Sequence, residues 1–220
     1  NADEVVVTRL YAYGGERNIP DDYNKRDSDF SGKKNLMLPG YLETGKSYIE
    51  SRNLPAYGIR EYTMVFEDIY PSIAGVELPD IGRIDELVAA EQITKETETK
   101  GTFKITIKNI GFNIKDYLTT ETATISMKSG SLIGYEFEIV DVVQLESGNY
   151  DITLNKSTRD DFQVPNAGQN LSAGDRFVIL NIKMPEKYVE YAEDRLLKAA
   201  TSYLVEHDHV IYTYNIGVDE

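Results

Sequence analysis

The sequence predicts an α+β fold that is mainly β: a small β-sandwich or barrel-like domain set among other strands, with one long helix near the end. Three observations carry this. Residues 102–182 alternate apolar and polar side chains in short runs separated by Gly, Asn and Ser turns. Sixteen Tyr and seven Phe stand against no Trp, an aromatic complement that suits strands. After Pro185 the apolar spacing becomes helical. With 220 residues, 41% of them hydrophobic, the chain is long enough to bury a real core.

The leading Asn1-Ala2 reads as the remnant of a cleaved tag, so the fold argument starts at Asp3 and the chain is expected to be a piece of a longer protein. "EVVVTRLYAY" (4–13) is an alternating strand, with Val5, Val7, Arg9, Tyr11 and Tyr13 on one face and Val6, Thr8, Leu10 and Ala12 on the other. Residues 14–34 form a long polar loop, a length that in a compact domain usually serves function or a partner. "NLMLPG" (35–40) is a short apolar piece stopped by Pro-Gly, and Glu61–Ile69 is a strand ended before Pro71. "IDELVAAEQ" (84–92) predicts one short helix with Leu87 and Val88 inward, and "TKETETKG" (94–101) a linker or exposed hairpin.

Five strands follow, near 102–109, 122–128, 133–143, 149–155 and 175–182, with turns at Ser129-Gly130, Ser147-Gly148-Asn149 and Ala173-Gly174-Asp175. Phe103, Ile105 and Ile107 share one face against Lys104, Thr106 and Lys108, the mark of a half-buried strand. Such spacing suits a sandwich or barrel. Pro185 and Glu186 open a helix over 186–206, with Val189, Ala192, Leu196, Ala199, Ala200 and Tyr203 on its apolar side. An alternating strand, 209–216, comes after it. Composition shifts divide the chain into 3–98, 99–184 and 185–220.

Several functions are excluded or disfavoured at this level. The net charge of −14 opposes binding to a phosphate backbone, so no nucleic-acid partner is expected. No apolar run is long enough to cross a membrane as a helix. Without Cys there is no thiolate metal site and no cysteine nucleophile. His207-Asp208-His209 lacks further zinc ligands and fits a helix end better. Asp21, Asp22, Asn24, Asp27 and Asp29 depart from calcium-loop spacing and are interleaved with Lys25 and Arg26. No G-x-S-x-G or H-E-x-x-H occurs. No catalytic residue, metal or cofactor is therefore assigned.

The stretches "VTRLYAYGGERNIP" (7–20), "LPGYLE" and "YIES" (38–51), "YGIREYTMVFEDIYPSIAG" (57–75), "FKITIKNIGFNI" (103–114), "ISMKSGSLIGYEFEI" (125–139) and "ILNIKMPEKYVEYAEDRLLKAATSYL" (179–204) resemble the tail-tip structural proteins of bacteriophages and prophages. These are the baseplate-hub and tail-associated lysin group of minor structural proteins. The resemblance covers most of the chain and rests on wording and order, not on a catalytic signature. It implies a β domain inserted in a hub-type framework whose flanking strands, 5–13 and 209–218, are neighbours. It implies a non-enzymatic assembly role, other tail-tip subunits as partners, a trimer in the particle, and a virion tail component made in the bacterial cytoplasm. The interface is then expected on the Tyr-rich first third, at Tyr11, Tyr13, Tyr41, Tyr48, Tyr57, Tyr62 and Tyr70, together with loop 14–34. The plainer reading packs these rings on strands. A host-surface carbohydrate or receptor module built on 102–183 is the rival, and it predicts clustered exposed aromatics. A cell-wall hydrolase piece is a third reading, and it predicts a cleft with perturbed carboxylates.

Overall fold

The computed structural model describes residues 6–23, 35–159 and 162–210. The fold is mainly β, with 33% strand against 18% helix. The chain divides into two compact units. The first takes residues 1–16, 22–70 and 190–220; the second takes 17–21 and 71–189.

In the first unit β1 (Arg9–Gly14) is the middle strand of three. It pairs antiparallel with β2 (Tyr48–Glu50) and parallel with β3 (Glu61–Phe66). Two single-turn helices, α1 (Tyr41–Thr44) and α2 (Leu54–Tyr57), lie in the connections. β1 alternates as its sequence predicts: Leu10 and Ala12 are buried, while Arg9, Tyr11 and Tyr13 are half-buried. Gly14 and Gly15 continue the strand into a close backbone approach. Gly15 donates its N–H to the carbonyl of Ile69 and accepts from Leu36 N–H, and Gly14 donates its N–H to the Leu36 carbonyl. The apolar piece Leu36–Leu38 is buried.

In the second unit six antiparallel strands form one curled, half-barrel sheet in the order β13-β8-β9-β10-β7-β6. A small hairpin, β4 (Glu77–Leu78) with β5 (Gly82–Arg83), precedes β6 (Leu87–Ala90). Then come β7 (Thr102–Ile107), β8 (Thr124–Met127), β9 (Glu136–Gln144) and β10 (Tyr150–Asn155). A second hairpin, β11 (Ser157–Arg159) with β12 (Phe162–Val164), interrupts the sheet before β13 (Phe177–Leu180). Register puts like with like: Phe103 faces Leu154, Ile105 faces Ile152, Ile107 faces Tyr150, and Ile125 faces both Phe137 and Ile179. These side chains, all buried, are the core of the unit. A bulge opposite Thr153 and Leu154 throws Val140 outward and increases the curl. The sheet's two margins meet at one corner, where Leu87 N–H donates to the Asp175 carbonyl and Gly174 N–H to the Leu87 carbonyl.

The predicted helix at 84–92 is a correction: Leu87–Ala90 is strand β6, paired with β7, and Val88 is exposed. Four residues of weak periodicity yield to the open hydrogen-bonding edge that β7 presents. The predicted helix over 186–206 is α3 (Glu186–His207). Its first residues, with Tyr188 at their core side, belong to the second unit and the rest to the first. Ala192, Leu196, Ala200 and Leu204, four residues apart, are its buried stripe. The predicted strand at 209–216 and the tip of the first loop, 24–34, lie outside the described residues beyond Val210 and Tyr23.

Candidate functional site

The strongest assembly of functional-looking side chains is the outward face of the three-stranded sheet. Odd-numbered positions of β1 point there, and register brings their neighbours. Arg9 stands opposite Glu50 and Glu61, and Tyr11 opposite Tyr48 and Thr63. Arg9 donates through Nε and Nη2 to Glu50 Oε1, at 2.9 and 2.6 Å, and through Nη1 to Glu61 Oε1 at 3.0 Å. Its guanidinium lies 4.6 Å from the centre of the Tyr48 ring, a cation–π contact. Tyr11 and Tyr48 meet at 5.3 Å with their planes tilted by 58°. The Tyr11 hydroxyl donates to Glu61 at 3.3 Å, and that of Tyr13 to Ser47 Oγ at 3.3 Å. The fork of Arg9 thus fixes both carboxylates, with the Tyr48 and Tyr11 rings beside it and Tyr13 farther along the same half-exposed face.

Of the seven Tyr residues singled out from the sequence, Tyr11, Tyr13 and Tyr48 come together here. Tyr62 points to the other face, where it stacks on Tyr203 at 5.9 Å, and Tyr203 stacks on His207 at 4.1 Å. Tyr41 opens α1 and is half-buried; Tyr57 closes α2 and is exposed. Tyr70 is buried, and its carbonyl accepts from Arg195 Nη2 at 2.9 Å. Arg9, Glu50 and Glu61 were missed because single charges on strands carry no signal until register is known.

The other flagged groups have local roles. His207 Nδ1 lies 2.7 Å from the Tyr203 carbonyl, and His209 Nδ1 lies 2.8 Å from Asp208 Oδ1. Among the described residues no three His, Asp or Glu side chains converge as a metal site would need. Asp27 and Asp29 lie outside the described residues.

The second unit carries an open polar depression of about 420 Å³ lined by Gly101, Glu136, Glu138, Asn155, Lys156 and Ser157. Asn155 Nδ2 donates to Glu138 at 3.2 Å, and Arg17 lies 3.7 Å from Glu136. Lys156 is buried, and its ammonium donates to the Glu98 carbonyl at 2.8 Å; burial pulls its pKa down. Phe162, on the adjoining hairpin, is 72% exposed.

Comparison with known proteins gives no further guide: no protein-family model, curated protein or solved structure matches the chain.

Proposed function

We propose that the chain is a non-enzymatic structural module of a bacteriophage or prophage tail tip, of the baseplate-hub kind, that binds neighbouring tail subunits and is trimeric in the particle. The tail-tip assignment rests on the resemblance of the quoted stretches. The observation that carries the binding role is the Tyr11–Tyr13–Tyr48 face ordered by Arg9. Tyr and Arg are the side chains that anchor protein interfaces, because each offers a large apolar surface with a polar end. A half-exposed sheet face of this composition suits a subunit contact. Among the described residues the carboxylate held above its usual range is Glu193, which accepts a hydrogen bond from the Tyr23 hydroxyl at 2.6 Å.

The carbohydrate-binding reading has one observation in its favour, exposed Phe162 beside the polar depression. It ranks second because the other aromatics described in that unit are buried or half-buried, which leaves no cluster to stack a sugar chain.

The first test is the gene's surroundings and full reading frame. A frame that continues on both sides, beside other tail genes, supports the proposal; a frame that ends at Glu220 behind a secretion signal sinks it. The second test is binding to the adjacent tail subunits. Replacing Tyr11 and Tyr48 together by Ala is expected to weaken that binding by about tenfold or more, the size of an interface anchor. Unchanged affinity removes this face from the interface.

A further inference from the structure

The outer margin of the first unit's sheet is an open strand edge. β3 ends the order β2-β1-β3, and no described strand pairs with its far side. Arg9 stands opposite Glu61 and donates its N–H to the Arg60 carbonyl at 3.0 Å, so the even-numbered residues of β3 bond to β1. Alternate residues of a strand turn their backbone groups to opposite sides, which sends the N–H and C=O of Glu61, Thr63 and Val65 away from β1. Strand edges are commonly blunted by charge, Pro or a bulge. From Tyr62 to Phe66 β3 has none of these, and Tyr62, Thr63 and Val65 are exposed. Its charges sit at its ends, Arg60 just before it and Glu67 and Asp68 just after it. The side chains of Arg60, Glu67 and Asp68 are exposed and make no ion pair or hydrogen bond with a described residue.

We propose that β3 is a self-association edge, onto which β3 of a second copy adds antiparallel and joins two sheets into one. The charges select this occupant. An antiparallel copy brings each Arg60 to the Glu67-Asp68 end of the other, whereas a parallel copy sets like charges side by side. Residues that exchange bonds across an antiparallel pair stand opposite each other. Centring the pair on Thr63 therefore engages all the outward groups at once, with Thr63 facing Thr63 and Glu61 facing Val65. The Glu61 carboxylate, held by Arg9, then meets an apolar side chain and not an acid. On the opposite face Tyr62, which is 45% exposed, meets Met64 across the junction and gains cover that one copy does not give it. The contact is isologous, so it closes at two copies. The dimer is a property of this chain by itself and does not rest on the tail-tip proposal.

The experiment is sedimentation equilibrium on the whole chain at about 0.15 M sodium chloride. A strand edge of this length buries less than a standard interface, so a dimer with a Kd of about 10–100 µM is expected. Thr63→Pro removes an outward N–H and no bond to β1, and is expected to leave the chain monomeric up to about 1 mM. Arg60→Glu is expected to weaken the dimer about tenfold or more, because symmetry makes the substitution act twice. Arg60→Glu combined with Glu67→Arg keeps the net charge at −14 and is expected to recover most of that loss. Amide exchange read by NMR is the second readout, and protection at Glu61, Thr63 and Val65 is expected to rise with protein concentration. A wild-type chain that stays monomeric at about 1 mM overturns the proposal, as does a dimer that Thr63→Pro leaves intact. Protection at these three amides that does not vary with concentration means that the chain covers its own edge, and it overturns the dimer too. No recovery in the doubly substituted chain overturns the antiparallel arrangement. Should Thr63→Pro loosen the whole unit, the charge exchange still decides.

Discussion

Asn18 shows how much one side chain fixes. Its backbone sits at φ 59°, a left-handed conformation that Asn tolerates better than most residues. Its amide donates to the carbonyls of Pro71, at 3.0 Å, and Ile179, at 2.7 Å, while its Oδ1 accepts from Ile182 N–H at 3.3 Å. The residue is buried, so each bond replaces one that water cannot supply. Asn18→Ala is expected to cost about 2–4 kcal/mol in urea unfolding, because the carbonyls stay buried without donors. Asn18→Asp is expected to cost at least as much, since a carboxylate then faces the same carbonyls. Gly15 is tied down by space: a Cβ there would lie 2.4 Å from the Glu67 carbonyl oxygen. Gly15→Ala is expected to lose about 2 kcal/mol or more, because backbone must move to admit it. Asp208 and Glu193 act oppositely on pH dependence. Burial opposes the charge of Asp208, but hydrogen bonds from Ser51, His209 and Asn53 outweigh it and hold its carboxyl below the usual range. Its contribution is full above the ordinary carboxylate pKa and is lost as pH falls through the depressed value. The raised Glu193 contributes most below the ordinary pKa, and that contribution is lost as pH rises through its own. Melting curves against pH are expected to show Ser51→Ala flattening the acid limb and Glu193→Gln stabilising the neutral side.

At the scale of elements, legibility followed periodicity. β7 and β10 were readable because each has one buried face, so their alternation is written in the sequence, as it is in Phe103, Ile105 and Ile107. α3 was readable because a buried stripe recurs every four residues over a long run. β6 was not, since Leu-Val-Ala-Ala suits a helix as well as a strand and β7 decides the matter from a distance. The candidate face was legible in part. Tyr11 and Tyr13 share a face by alternation alone, but Tyr48 joins them through the register of β1 on β2, which no local pattern encodes. Tyr62 was lost from the set for the same reason, being one residue out of phase with Glu61 and Thr63. The sheet pairing supplies a direct test of where the second unit's core lies. Ile105 is buried opposite Ile152, while Thr106, next along, is half-buried and outward with its hydroxyl 2.7 Å from Asp151. Ile105→Ala is expected to cost about 3–4 kcal/mol in chemical denaturation, and Thr106→Ala less than about 1 kcal/mol. Equal losses would mean that the inward ladder is misassigned.

Over the whole molecule the dominant feature is charge. The chain carries −14, and two of the ion pairs described, Lys115 with Asp141 and Arg17 with Glu136, have side chains about half exposed. Exposed pairs of this kind contribute little, and salt weakens them. Excess like charge acts over a longer range and opposes the compact state. The two effects respond to salt with opposite sign, so ionic strength separates them. Screening contracts from about 30 Å at 0.01 M to about 8 Å at 0.15 M, which removes repulsion between distant carboxylates but leaves close contacts such as Arg83 on buried Asp85 largely intact. The melting temperature is therefore expected to rise by about 2–5 °C over that range of sodium chloride. A fall would show that the surface ion pairs outweigh the net charge. The same repulsion keeps the chain off polyanions, so titration with duplex DNA at low salt, where any attraction to phosphate would be strongest, is expected to give no saturable binding. Saturable binding that weakens steeply with salt would require a basic surface that the composition does not provide.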